Sequence, residues 1–455
     1  MAERRYSRLI AAIAFASGLA AAPINARATN LDEAMSLAYE NNPTLQAARA
    51  QLRATDEQIA QAKSLRRPTL DITGDAGPEA IDSDIRNNGT DLNGTVALNL
   101  NQPIYRGGSI DASIKQADNV ILAQRETLSS VEQQVLQQAV TAYSDVVRDI
   151  AVLKLTQSNV EVLTRQLEAT RTRFDVGELT RTDVAQAESR LAGAHAEQTA
   201  AEGNLTTSRA IYRQVVGEEP VELETPKPPT DLPAGEEETI AGSSNNPDLI
   251  AAKFLERAAE DGIDVVFGEL LPSVDVVGRL EALDEDVTHQ GLFENSAGVF
   301  LQVRIPLYQG GGVSSRVRES KQIVSQRRQQ VFEQERAVEQ QATSSWRALE
   351  TARAQIVSFE SQVEATRVAL EGVREEANVG ARTILDVLDA QQEYLQAQVN
   401  LVRAERDEVV AAYQVLAAIG RLTLAGVNLK TTPYDPTRHY DAVKDKFWGN
   451  DIEAQ

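Results

Sequence analysis

One passage of this chain is written twice, so any fold must hold two copies of one unit. Asn41-Asn42-Pro43-Thr44-Leu45 recurs as Asn245-Asn246-Pro247-Asp248-Leu249, an offset of 204 that also carries Pro68 to Pro272, Asp71 to Asp275 and Gly74 to Gly278. One residue is then lost, and at an offset of 203 Pro103-x-Tyr105-x-Gly107-Gly108 matches Pro306-x-Tyr308-x-Gly310-Gly311. Val176-Gly177 and Thr180-x-x-Asp183-Val184 match Val379-Gly380 and Thr383-x-x-Asp386-Val387, and Gly217 matches Gly420. So many matches at nearly one spacing mean internal duplication. The copies occupy 29–216 and 241–420. Residues 217–240 hold Pro220, Pro226, Pro228, Pro229, Pro233 and several Glu, which reads as a linker. The tail, 421–455, contains Tyr434-Asp435-Pro436 and Phe447-Trp448-Gly449 and has no counterpart.

Each unit reads as helix, hairpin, very long helix, returning helix. Residues 31–66 place Leu31, Ala34, Leu37, Ala38, Leu45, Leu52 and Ile59 on one stripe. The stretches 109–175 and 312–378 hold no proline and scarcely any glycine. Leu349, Ala352, Ile356, Phe359, Val363, Thr366, Leu370, Val373 and Ala377 step by three and four, a heptad seam that packs as a coiled coil. The first copy repeats it at Val146, Leu153, Val160, Leu163, Leu167 and Phe174, with Asp149 and Thr156 as polar interruptions. At 1.5 Å per residue each long helix is a rod of roughly 100 Å. The returning helices, 182–216 and 383–419, are about half as long, like the opening ones. Two half-length helices stacked end to end match one rod, which suggests a barrel of rods and stacked pairs.

Composition excludes several functions. The 455 residues carry 45 Lys and Arg against 67 Asp and Glu, a net charge of −22, and a nucleic-acid binder needs a basic face. Cysteine is absent, and His195, His289 and His439 are far apart, so no metal, cofactor or catalytic triad is expected. Arg4, Arg5 and Arg8, an apolar run from Leu9 to Ala22, and Ala26-Arg27-Ala28 form a secretory signal peptide over 1–28, with Thr29 as the mature start. No later stretch has 18 consecutive apolar residues, so a place in a membrane requires a β-barrel.

The segments 69–103 and 273–306 change to a period of two. Val96, Leu98 and Leu100 alternate with Thr95, Ala97, Asn99 and Asn101; Val299, Leu301, Val303 and Ile305 alternate with Gln302 and Arg304. Val274, Val276, Gly278 and Leu280 alternate with Asp275, Arg279 and Glu281. Strands of about 10 residues suit a tilted membrane strand, though a small soluble sheet with a wet face has the same period. Four strands cannot close a barrel, whose smallest size is about 8, so a membrane reading requires oligomers. Two chains give eight strands and three give twelve. Twelve rods about 10 Å apart enclose a ring roughly 38 Å across, the better conduit.

Here the motifs resemble the TolC family of outer-membrane efflux and type I secretion channels. The carriers are Asn-Asn-Pro at 41–43 and 245–247, Gln102 to Gly108, Ile305 to Gly311, and Val379-Gly380-Ala381-Arg382-Thr383-Ile384-Leu385-Asp386-Val387-Leu388-Asp389-Ala390. The resemblance covers essentially the whole mature chain. It implies a mainly α protein with a β-barrel part: a homotrimer with a 12-stranded outer-membrane barrel and a long periplasmic α-helical barrel. The linker and the tail would form an equatorial girdle. Its partners would be a periplasmic adaptor and an inner-membrane pump of RND or ABC type, and its location the outer membrane, extending into the periplasm.

Gly177 and Gly380 close the turns at the far end of the rods, and Thr383 suits an N-cap. Asp386 and Asp389 lie three apart on one helix face, with Leu385 and Leu388 expected on the packed side. The bland role of such acids is to offset the helix dipole. Threefold symmetry would gather up to six carboxylates into a cation-binding constriction. The resemblance implies that Arg382 is a gate residue bonded to Thr182 and Asp183, and that Ala377 replaces a gate tyrosine. Val96, Leu98, Leu100, Val299, Leu301 and Val303 are the expected lipid-facing residues. A trimeric autotransporter-type adhesin would have contiguous C-terminal strands, and a periplasmic adaptor would have one helical hairpin within β-rich modules. An enzyme would need a convergent nucleophile, base or metal set, which is missing.

Overall fold

The computed structural model describes residues 30–81, 89–284 and 293–451. The expected signal peptide over 1–28, Thr29 and His289 lie outside them. The first copy forms α1 (Leu31–Asn41), α2 (Pro43–Ser64), β1 (Thr69–Ile81), β2 (Gly89–Arg106), α3 (Ser109–Asp175) and α4 (Arg181–Val216). The linker carries α5 (Glu236–Gly242). The second copy forms α6 (Pro247–Phe267), β3 (Ser273–Asp284), β4 (Phe293–Arg304), α7 (Gly312–Asn378) and α8 (Ile384–Ala418), and the tail carries α9 (Arg438–Val443). Among the described residues no helix is long and apolar enough to cross a membrane.

The opening segment expected as one helix over 31–66 is two. Pro43 disfavours helix at the residue before it, so Asn42 is extended (φ −66°, ψ 122°) and caps α2 instead. Its Oδ1 accepts from Thr44 N at 2.9 Å while its Nδ2 donates to Val215 O, near the end of α4, at 3.0 Å. One buried asparagine thus joins the end of one helix to the start of the next. The second copy repeats the joint: Asn246 accepts from Asp248 N at 3.0 Å and donates to Ala418 O at 3.3 Å. Gly420 follows α8 in the left-handed region (φ +74°), and a Cβ there would stand 2.4 Å from Asn245 O.

The main core sits around these joints. Met35, Leu52, Leu136, Tyr143, Tyr212 and Leu422 are almost wholly buried there, drawn from α1 to α4 and the tail. Linker and tail wrap the same core: the Tyr143 hydroxyl donates to Glu224 O at 2.8 Å, and Leu424 N donates to the Glu132 carboxylate at 3.3 Å. The tail then runs along α2. Tyr440 donates to Asp118 at 2.9 Å, His439 stands 3.3 Å from the buried Asp56, and Lys63 donates to Asp445 at 2.8 Å.

The heptad seam of α7 packs against α8, with Leu349, Ala352, Leu370 and Ala377 buried. Higher up, Val317, Val324, Val331 and Val338 are buried at intervals of seven, toward α6. The four strands make one antiparallel sheet in the order β1-β2-β3-β4, so the two copies join through β2 and β3. β2 runs past Pro103 to Arg106, and its register slips between Pro103 and Tyr105, where proline has no N–H to give.

Both returning helices start with a capping box. Thr180 and Thr383 hydroxyls accept from Asp183 N and Asp386 N, and each carboxylate accepts from its threonine's backbone N–H at 2.8 and 2.9 Å. These backbone bonds first, and the threonine hydroxyls second, hold both aspartates below their ordinary 3.8.

Two outcomes follow. Asn42→Ala should cost about 1 kcal/mol for the cap and about 1–3 kcal/mol for the stranded Val215 carbonyl. Asn42→Asp keeps the cap but turns an acceptor toward that carbonyl, and should lower the melting temperature further. The cap aspartates stabilise their helix starts above pH 3.8, and that contribution is lost as pH falls through their lower folded-state values. Amide-exchange protection over 384–390, corrected for intrinsic rates, should drop with pH in the unmodified chain and stay level in Asp386→Asn.

Candidate functional site

The far end of the rods holds both turns, one at Gly177 (φ +81°) and one at Gly380 (φ +77°). Leu163, Leu167, Ala187 and Ala194 of the first copy form one apolar cluster with Ile384 and Leu388 of the second. The packed side of α8 is Ile384, Val387 and Leu388, following the three–four spacing, whereas Leu385 is 38% exposed rather than packed as expected.

The charged residues there have partners that the sequence did not name. Arg382 bonds Glu376 of its own hairpin at 2.8 Å; within one chain it is not brought to Thr182 or Asp183. Asp183 is taken up by Thr180, and Thr182 is exposed. Asp386 is occupied by Thr383, and Asp389 pairs with Arg190 of α4 at 2.5 Å. Further up α8, Gln391 donates to Asn159 of α3 at 3.3 Å and accepts from Arg374 at 2.6 Å. Higher still, Arg406 bonds Asp145, which also holds Arg148, each at 2.8 Å, and Arg148 holds the buried Asp149 at 2.8 Å. The second-copy hairpin is therefore fastened to the first copy at three heights by polar links. No local sequence signal marked them: the polar interruptions of the α3 seam, Asp149 and Thr156, bond within α3 itself.

At the other end the sheet has two unlike faces. Register places Ile72, Leu98 and Leu280 side by side, and Val276 beside Leu301 and Val274 beside Val303. Ile72, Val96, Val299, Leu301 and Val303 are each more than half exposed, and Leu100 is 37% exposed. The opposite face is polar: Asn99 donates to Asp71 at 3.1 Å, Arg279 donates to Asn99 at 3.3 Å, and Arg106 pairs with Asp275 at 2.8 Å. Val277 and Phe300 interrupt it. β1 and β4 are the outer strands, each with one neighbour. Among the described residues no group of three or more His, Asp or Glu could hold a metal ion.

A family model described as outer membrane efflux protein matches residues 34–218 and 243–421, which are the two copies. The outer membrane efflux protein BepC of Brucella suis is 37% identical over 445 residues, covering 97% of this chain and 96% of that protein. The outer membrane protein TolC of Vibrio cholerae is 27% identical over 412 residues, 87% of this chain and 92% of that one. The crystal structure of the CmeC outer membrane channel of Campylobacter jejuni shares the fold: TM-score 0.78, 16% identity, 91% of this chain and 89% of that one. The duplicated joints, the amphipathic sheet and these matches lead to one conclusion: the chain belongs to the outer membrane efflux protein family, of channels rather than enzymes.

Proposed function

We propose that three copies close a passive exit duct from periplasm to exterior, working with a periplasmic adaptor and an inner-membrane pump in efflux or type I secretion. The carrying observation is a four-stranded sheet with an exposed apolar face and two outer strands. Inside the chain, β2 pairs with β3 and α3 packs on α6. By the duplication, β4 and α7 correspond to β2 and α3, and β1 and α2 to β3 and α6. Repeating the internal contact between copies pairs β4 with the next β1 and α7 with the next α2. That contact is heterologous and closes as a ring. Ile323 and Phe332, 42% and 48% exposed on α7, are apolar side chains such a neighbour would cover. The family resemblance supports three copies, twelve strands and a girdle formed by the linker and tail.

The tip is the gate in this reading. Arg382 reaches Thr182 and Asp183 only across a subunit boundary, exchanging Glu376 for them on closure. Asp386 keeps its charge through the cap, and Asp389 shares its charge with Arg190, so the cation-binding ring is partly compensated.

An Arg at a mid-depth lipid-facing site costs about 2–4 kcal/mol. Leu98→Arg should therefore abolish assembly into outer-membrane fractions while Asn99→Arg is tolerated; equal tolerance would refute the barrel. For the gate, planar-bilayer conductance should rise in Arg382→Ser and in Asp183→Ala, and the double change should add little beyond either. In the same recordings a trivalent cation on the periplasmic side should block the unmodified channel and lose that block in Asp386→Asn/Asp389→Asn. Undiminished block would return both aspartates to their cap and ion-pair roles.

A further inference from the structure

The C-terminal tail reaches the foot of the sheet and presents two largely exposed aromatic rings there. Arg67 lies two residues before β1, and its Nη1 donates to Lys446 O at 2.6 Å. The same guanidinium lies 4.1 Å from the centre of the Phe447 ring. Lys63 holds Asp445 from the last turn of α2. These contacts set the height of the tail end against the point where the chain enters the sheet. Yet Phe447 is 78% exposed and Trp448 91% exposed. Ordered contacts bring two large rings to this level, and apart from Arg67 over one face of Phe447 both are left largely exposed.

We infer that Phe447 and Trp448 anchor the tail in the phospholipid headgroup region of the periplasmic leaflet of the outer membrane. This rests on the barrel reading above. Three observations favour lipid over another occupant. First, the rings lie level with the end of the exposed apolar band, and Tyr105 and Tyr308, 47% and 87% exposed, stand at the same end of the sheet. Tryptophan and tyrosine gather at that depth because the ring body wants hydrocarbon and its N–H or O–H wants water, and Phe447 adds apolar area beside Trp448. Second, two cations, Arg67 and Lys446, lie beside the rings in a chain of net charge −22. Neither Arg67 nor Lys446 has a carboxylate within salt-bridge distance among the described residues: Asp445 is bonded to Lys63 and meets Arg67 only at longer range, and Lys446 donates to the Asp451 backbone carbonyl. Lipid phosphates would meet those cations. Third, Gly449 follows in the left-handed region (φ +107°), so the chain turns directly after the two rings instead of carrying an apolar run onward. The tail would then be a strap with a membrane end, holding α2 at a fixed height against the bilayer.

The chain has two tryptophans, Trp346 and Trp448, which makes the test direct. Full-length Trp346→Phe protein is reconstituted into phosphatidylethanolamine–phosphatidylglycerol vesicles containing lipids brominated either near the headgroup or near the chain end. Trp448 emission should be blue-shifted, and shallow bromines should quench it at least about twofold more than deep ones. A Leu98→Trp reporter in a Trp346→Phe/Trp448→Phe background reports the barrel itself and should be quenched better by the deep label. If the Leu98→Trp reporter is quenched and Trp448 is not, the anchor is refuted and the barrel stands. A blue-shifted Trp448 that neither label quenches would also refute it, and would assign the rings to a neighbouring copy. If neither reporter is quenched, the barrel reading falls and takes the anchor with it.

Discussion

Every long dimension of this molecule depends on a single joint made twice. A helix ends with unsatisfied carbonyls and begins with unsatisfied N–H groups, and neither can be left in an apolar core. Asn42 and Asn246 resolve both needs with one side chain, accepting from the start of one helix and donating to the end of another. Two shorter helices, of 22 and 36 residues in the first copy, then run end to end as a stacked pair beside a rod of 67 residues. Without the joint, each copy would be a rod with a frayed partner, and a wall of even height could not form. The core of α1, linker and tail gathers at this level, and the joint pairs the helix-end groups that this burial would otherwise strand.

The two copies share a fold but not a chemistry. The seam of α7 is almost wholly apolar, whereas α3 carries Asp145, Arg148, Asp149, Thr156 and Asn159 along its contact with neighbouring helices. α8 is tied to the first copy through Arg406, Gln391 and Asp389. Polar links of this kind are directional and can be exchanged one for another, while apolar seams resist separation as a whole. The apolar seam of α7 and α8 makes the second hairpin internally firm, while the contact between the copies combines the apolar cluster around Ile384 and Leu388 with exchangeable polar links. In the sheet, the apolar face is exposed among the described residues and the polar face satisfies itself across strands.

The sequence by itself determined the duplication, the rods, the turns and the amphipathic strands, because each is periodic or punctuated within one segment. The long helices could be read over 109–175 and 312–378, where no proline interrupts the seam and the one internal glycine, Gly372, does not break it. Only the tertiary structure decided where segments far apart in sequence meet. Asn42 was legible as part of a repeated motif, but its bond to Val215 spans the whole first copy and leaves no local pattern. The break at Asn42 was missed because the apolar stripe runs on through it, while the proline after it acts on backbone conformation alone. Leu385 was placed inward with Leu388 from the three-residue spacing, yet the helix turns it outward, since Ile384, Val387 and Leu388 already take the packed face. Arg190, Glu376 and Asn159 emerged as partners only in three dimensions. An ion pair between exposed side chains depends on which helices lie side by side, and packing settles that rather than the spacing along either helix.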